Sequence, residues 1–237
     1  MRLLLLSNAK CEGMGYLEHA REHVRDFLGG TVPRVLFVPF AAVTRSYDDF
    51  VGQTLPVFDA LGVAVEGIHR CTDPVAAVNE APALMIGGGN TWKLLRELRS
   101  QALLPAIRAR VERGMPYIGW SAGSNVACPT IMTTNDMPIC DPHGFDALGL
   151  VPFQINPHYL HGNPPGFKGE TREERINEYL ALHPDVVVAG LREGTAFRVE
   201  DATLRLLGDA ECRVFRHGQP PRELTRGDDF GFLLAPR

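Results

Sequence analysis

At 237 residues the chain is long enough for one large α/β domain, and with 45% hydrophobic residues it can bury a sizeable core. Its formal charge is −4 with no run of Lys or Arg, which argues against a nucleic-acid partner or an anionic membrane surface, since both need clustered positive charge. A single domain over residues 1–237 is expected.

The opening Met1-Arg2-Leu3-Leu4-Leu5-Leu6-Ser7 is too short an apolar run for a signal peptide, and Asn8 and Lys10 follow at once. Residues 3–7 read instead as a buried first strand. A helix over residues 16–28 follows, with Leu17, Ala20, Val24, Phe27 and Leu28 on one face and Gly29-Gly30 at its end. Residues 35–40 form a second buried strand, residues 47–61 a helix containing Pro56, and residues 62–68 a third strand. Asp73-Pro74 starts the next helix, with a carboxylate cap and proline at the first helical position. Residues 84–86 form a fourth strand running into Gly87-Gly88-Gly89-Asn90, residues 91–99 and 103–113 two helical pieces, and residues 116–120 a fifth strand ending at Ser121.

This alternation predicts an α/β fold, a mostly parallel doubly wound sheet with helices on both faces. Residues 129–169 carry little helical pattern and many Pro, Asn, Asp and Gly, and a loop of that length in a compact domain is usually functional. The tail reads as short strands at 186–189, 197–200, 203–207, 213–215 and 230–234, expected as an antiparallel C-terminal extension of the same sheet.

Gly119-Trp120-Ser121-Ala122-Gly123 fits Gly-x-Ser-x-Gly. A nucleophile on a sharp strand-to-helix turn needs small neighbours, so that the backbone can take a strained conformation and expose the hydroxyl. Parallel neighbours end at one sheet edge, so Gly88 or Gly89 can bring an amide to the same point as that of Ala122, and two such donors make an oxyanion site. A phosphate loop is the rival for the glycines, but no Gly-Lys-Ser/Thr follows and Gly-x-Gly-x-x-Gly is absent.

Ser121 needs a base. His19 and His23 lie on the first amphipathic helix and are expected to face solvent; His69, His183 and His217 sit near element ends. His143, His158 and His161 remain, and His158 is well mounted after Gln154-Ile155-Asn156-Pro157, a short strand closing in a proline turn. Spacing leaves Asp136, Asp141 and Glu193 open as the orienting carboxylate. Metal ligation by Cys140, Asp141, His143, His158 and His161 is the competing use of this region, but the spacing matches no common zinc pattern. The five cysteines are odd in number, widely spaced and never in Cys-x-x-Cys, which fits a reducing, cytoplasmic setting.

Thr171-Arg172-Glu173-Glu174 is a capping box opening a helix over 172–182, and it puts a cation at the first helical position, against the helix dipole. Arg172 is then either an anion pocket for a substrate carboxylate or a surface arginine paired with Glu170 or Glu174.

Taken in order, residues 3–8, 39–41, 67–70, 87–91, 117–125, 133–139, 144–147, 154–158 and 169–172 resemble the peptidase E family of α-aspartyl dipeptidases. The match weakens after about Phe197 and departs at Tyr159-Leu160-His161-Gly162. The resemblance implies a class I glutamine amidotransferase-like, flavodoxin-like fold. It also implies a serine dipeptidase that cuts after an N-terminal aspartate through an acyl-enzyme, without cofactor or metal. Carried over by position, Ser121 is the nucleophile, His158 the base and Asp136 the orienting acid, with Glu193 an alternative third member; outside that line, the charge of Glu193 alone suits it to the substrate's amino terminus. Arg172 matches an arginine suited to the aspartate side chain. The partner implied is a small peptide, with no nucleic acid or membrane, and the protein a monomer or small homo-oligomer. Competing readings are an exopeptidase on longer or branched aspartate polymers, and an α/β-hydrolase esterase using His217 with Asp201 or Asp209.

Overall fold

A computed structural model of the chain describes residues 1–163 and 166–235. Strand β1 (Arg2–Leu6) leads to α1 (Arg21–Leu28), β2 (Arg34–Val38), α2 (Tyr47–Ala60), β3 (Ala64–Gly67), α3 (Pro74–Glu80) and β4 (Leu84–Ile86). Helices α4 (Thr91–Ser100) and α5 (Leu103–Glu112) precede β5 (Tyr117–Trp120), the short α6 (Ala122–Asn125), β6 (Gln154–Pro157) and α7 (Arg172–Leu182). The chain continues through β7 (Val187–Leu191), β8 (Ala196–Glu200), β9 (Thr203–Leu207), β10 (Cys212–Arg216) and β11 (Arg222–Leu224).

The main sheet has the order β3-β2-β4-β5-β1-β8-β9. Its first five strands are parallel, and β8 and β9 extend it antiparallel beyond β1. Side chains alternate across a strand, so the unbroken apolar run of β1 serves two cores. Leu3 and Leu5 pack with Leu94 and Leu98 of α4 and Ile107 of α5. Leu4 and Leu6 pack with Val24 and Phe27 of α1 and Phe50 and Phe58 of α2. Helices therefore cover both faces, as the alternating pattern predicts. Asp73 caps α3 through Ala76 N at 3.0 Å, as read from Asp73-Pro74, and α2 runs through Pro56.

The tail departs from expectation. Strands β7, β10 and β11 do not extend the main sheet; with β6 they form a second, four-stranded sheet, β11-β10-β7-β6, in which β6 and β7 are parallel. Alternation tells which face of a strand is buried, not which sheet it joins, and the place beside β1 is taken by β8. Phe230 and Leu233 are buried, but on a single 3-10 turn at Gly231–Leu233 rather than a strand. Near the N-terminus, Leu17 takes a left-handed φ of 59° and a 3-10 turn at Glu18–Ala20 precedes α1, so the first helix starts later than its periodicity implies. This turn carries His19 inward. Both its ring nitrogens are buried, and burial first, His23 second, pushes its pKa down, contrary to the expected solvent-facing position.

Candidate active site

Ser121 follows β5 directly, with φ 52° and ψ −110°, a conformation a residue with a Cβ holds only under constraint. The constraint is local. A Cβ on Gly119 would lie 2.6 Å from Gly123 O, and one on Gly123 would lie 2.0 Å from Ile86 O. Only glycine fits at either place, so the chain can turn sharply from β5 into α6 against β4. Ser121 N donates to Leu6 O at 3.1 Å, which fixes the turn to the end of β1.

The neighbouring glycines close on the same point. A Cβ on Gly88 would lie 3.0 Å from Ser121 Cβ and 3.2 Å from Trp120 O. Gly89 has φ 134°, and a Cβ there would strike Ala41 O at 2.3 Å. Among the described residues neither the Gly88 nor the Gly89 amide donates to a protein acceptor. Ala122, the first residue of α6, has an amide with no carbonyl one turn back. Amides without protein acceptors beside a serine hydroxyl are the donors that an oxyanion needs.

The second sheet brings in an imidazole. His158 follows β6, and its Nε2 stands 2.9 Å from Ser121 Oγ. Its Nδ1 stands 2.6 Å from Glu193 Oε1, at the turn between β7 and β8. With the ring proton on Nδ1, Nδ1–H donates to Glu193 and Nε2 accepts from the Ser121 hydroxyl. Among the other histidines, His19 lies within electrostatic reach of Glu193. His143 faces Asp141, His161 faces Glu173 and His69 bonds Asp48.

Asp136, expected to orient His158, does not reach it. Its Oδ2 accepts from Thr91 N at 2.8 Å, Thr91 Oγ1 at 2.6 Å and Thr134 Oγ1 at 3.1 Å. Trp92 Nε1 and Asn90 Nδ2 hold the adjoining carbonyls of Asp136 and Met137. The carboxylate is thus occupied at the N-terminus of α4, where free amides and the helix dipole favour an anion. Glu193 occupies the position beside the imidazole, which also commits the carboxylate that otherwise suits a substrate amino group.

Arg172 opens α7 behind the expected capping box. Thr171 Oγ1 accepts from Glu174 N at 3.1 Å, and Glu174 Oε2 accepts from Thr171 N at 2.6 Å. The box engages Glu174, while Glu170 pairs with Arg175. Arg172, half-buried, has no ion pair or hydrogen bond among the described residues. Burial first and Arg175 second press its pKa down, while Glu193 and Asp136 act the other way. It lines one cavity of about 550 Å³ with His158, Tyr159, Leu160, Arg192 and Glu193, and a second with Asp136 and Asn156. Below the first cavity, Arg192 and Arg213 both bond Glu223 at 2.8 Å, and Arg213 also reaches Glu173 at 3.0 Å.

The competing constellations are not assembled. Asp201 pairs with the N-terminus, Asp209 pairs with Arg226, and neither meets His217. Among the described residues no three His, Cys, Asp or Glu side chains converge as a metal site, and the five cysteines are free. No helix there is long and apolar enough to cross a membrane. Sequence reasoning gave Ser7 and Asn8 no role of their own, although Ser7 ends the expected first strand and both lie in the 3–8 stretch of the resemblance; their position at the sheet edge where Ser121 turns was a further signal.

Comparison with known proteins gives the family. The model of Peptidase family S51 matches residues 3–207. A peptidase E of Citrobacter koseri is 51% identical over 97% of this chain and 100% of its own length. A peptidase E of Nostoc sp. is 46% identical over 98% and 96%. Among solved structures, a peptidase E protein of Listeria monocytogenes superposes with TM-score 0.66 at 22% identity, over 87% of this chain and 98% of that one. A peptidase from an acI-B1 actinobacterium gives TM-score 0.70 at 18% identity, over 97% and 96%. The two structures speak for the fold; the family match spans the Ser121 turn, His158 and Glu193 alike, and the chain belongs to peptidase family S51, as a serine peptidase.

Proposed function

We propose that this peptidase is a dipeptidase that releases an N-terminal aspartate from Asp-X dipeptides through an acyl-enzyme on Ser121. One observation carries the reading. In the hydrogen-bonded line Ser121–His158–Glu193, His158 and Glu193 border a cavity whose wall holds Arg172, a half-buried cation with no ion pair among the described residues. A desolvated guanidinium favours a carboxylate that it can bind through two parallel hydrogen bonds.

In this mechanism Arg172 holds the aspartyl side chain. His158 Nε2 takes the Ser121 proton as Oγ attacks the scissile carbonyl carbon, and Glu193 stabilises the imidazolium and keeps the ring in place. Amides of Gly88 or Gly89 and of Ala122 receive the oxyanion. The tetrahedral intermediate collapses, the carbon–nitrogen bond breaks, and the leaving amine takes the proton from Nε2. Water then gives a proton to His158 and attacks the ester; the proton returns to Ser121 Oγ as the free aspartate departs. Asp136 acts in this scheme as the anion held at the N-terminus of α4 and not in proton transfer.

The test is hydrolysis of Asp-Leu, Asn-Leu and Glu-Leu by the native enzyme and by Ser121→Ala. Asp-Leu is expected to exceed the other two by about a hundredfold or more in kcat/KM, since Asn leaves the half-buried cation unpaired and Glu is one methylene too long. Equal rates on all three would remove Arg172 as the selector, and a fully active Ser121→Ala would remove the nucleophile.

A further inference from the structure

The reacting groups lie on two different sheets. Ser121 ends β5 of the main sheet, whereas His158 ends β6 and Glu193 follows β7 of the second sheet. A sheet holds its own strands in register through backbone bonds, but nothing in that ladder fixes one sheet against another. A 2.9 Å contact across the gap therefore needs a separate fastener, because a shift of an ångström between reacting groups is felt strongly in rate.

The C-terminal end of β1 supplies one. Leu6 O accepts from Ser121 N at 3.1 Å and from Ser124 Oγ at 2.7 Å, which ties it to the serine turn. The next residue, Ser7, is fully buried, and its hydroxyl is used twice. It accepts from His158 N at 2.9 Å and donates to Leu191 O, the last residue of β7, at 2.7 Å. Its own amide donates to Thr195 O at 3.0 Å. Asn8, also buried, accepts from Gly194 N at 2.8 Å, next to Glu193. Three consecutive residues thus touch the nucleophile's backbone, the base's backbone and the turn bearing the acid.

His158 has a further need for support. Its φ is 54°, left-handed for a residue with a Cβ, and such a conformation persists only where surrounding bonds over-determine it. The bonds that flank it are His158 N to Ser7 Oγ and Tyr159 N to Leu191 O. Leu191 O is the same carbonyl to which Ser7 donates.

We propose that Ser7, with Asn8 beside it, is the positioning residue of the reaction, setting the imidazole of His158 against Ser121 across the two sheets. It touches neither substrate nor the transferred proton; it acts through the backbone of His158. The inference rests on the reading of Ser121, His158 and Glu193 as the reacting line.

The experiment compares native enzyme, Ser7→Ala, Ser7→Cys, His158→Ala and Thr54→Ala in turnover of Asp-Leu, in melting temperature, and in a crystal structure of Ser7→Ala. Thr54 is an equally buried hydroxyl bonded to Val51 O on α2, remote from the site, and reports the cost of losing a buried bond alone. Ser7→Ala is expected to lower kcat by about tenfold to a hundredfold with KM changed less than about threefold. Its crystal structure is expected to have the imidazole displaced out of hydrogen-bond reach of Ser121 Oγ. Thr54→Ala is expected to lose melting temperature and keep kcat. If Ser7→Ala does not fold, Ser7→Cys decides, because a thiol of similar size is a weak acceptor, and an intermediate loss of kcat is expected. A kcat that falls only in proportion to the folded fraction, or an imidazole still bonded to Ser121 in Ser7→Ala, overturns the inference. A fully active His158→Ala overturns the base assignment instead, whereas an inactive His158→Ala beside a fully active Ser7→Ala overturns the positioning role alone.

Discussion

Replacing Glu193 by glutamine removes the negative charge that stands 2.6 Å from His158 Nδ1 while keeping the side chain's size. A hydrogen bond of this charge-assisted kind contributes about 1.5–3 kcal/mol. Felt wholly in the transition state, where the ring is an imidazolium, that is roughly tenfold to a hundredfold in rate. Glutamine adds a second cost. Its amide can donate to Nδ1, which favours the tautomer with the proton on Nε2, and that tautomer cannot accept from Ser121. Solvent works against the full effect, because the Glu193 side chain is 58% exposed. Together these place Glu193→Gln at about 10²–10³ below native kcat, with KM little changed. Asp136→Asn is the matched comparison. Its carboxylate takes three donors at the start of α4, so the loss falls on stability, about 1 kcal/mol or a few degrees in Tm, with kcat within about threefold. Steady-state hydrolysis of Asp-Leu and thermal melts followed by circular dichroism read the two variants. A folded Asp136→Asn without activity beside a normally active Glu193→Gln would refute the assignment drawn from these distances.

Three other outcomes follow from the same structure. Arg172→Ala is expected to lower kcat/KM on Asp-Leu by about a hundredfold, the worth of one charge-assisted pair, and to leave Asn-Leu nearly unchanged; an undiminished preference for Asp-Leu refutes it. Gly123→Ala drives a Cβ to 2.0 Å from Ile86 O and is expected to cost more than about 3 kcal/mol in urea unfolding, whereas Gly88→Ala, 3.0 Å from Ser121 Cβ, is expected to fold and lose kcat. The Arg192 guanidinium first, and Arg213 with it, hold the Glu223 carboxyl down to about 2 against the upward push of burial. A carboxyl depressed on folding contributes stability above its unfolded range that is lost as pH falls toward 2, up to about 3 kcal/mol here. Melts at pH 7 and pH 3 are therefore expected to differ less in Glu223→Gln than in the native protein.

Much of the main sheet was readable because its determinants are local. Leu3 to Leu6 form an unbroken apolar run, and only a strand covered on both faces has use for one, which is where Leu3 and Leu4 part into separate cores. Asp73-Pro74 marks a helix start by side-chain chemistry alone. The second sheet was not readable in that way. The segment 187–191 is the same unbroken apolar run whether it joins β1 or β6, and what decides is that β8 returns antiparallel to β1. That choice depends on residues far along the chain, and no window of sequence holds it.

The site divides on the same principle. Gly119 and Gly123 are legible because their reason is steric and lies within the five-residue turn. The choice between Asp136 and Glu193 is not, since both are carboxylates in polar loops. What separates them is the number of donors each already satisfies. Asp136 follows Thr134 and meets the start of α4, so one oxygen takes three bonds and the side chain has no cause to turn toward an imidazole. Glu193 stands at a turn closed by Gly194 at φ 80°, where no cap competes for its oxygens, and its longer side chain spans from the end of β7 to His158 at the end of β6. Since β6 and β7 are parallel neighbours with Pro157 opposite Leu191, His158, one residue beyond β6, and Glu193, two beyond β7, lie at one edge by register alone. The pairing of His158 with Glu193 is thus a consequence of the second sheet, and the choice between Asp136 and Glu193 was hidden in the sequence for the same reason that the sheet was.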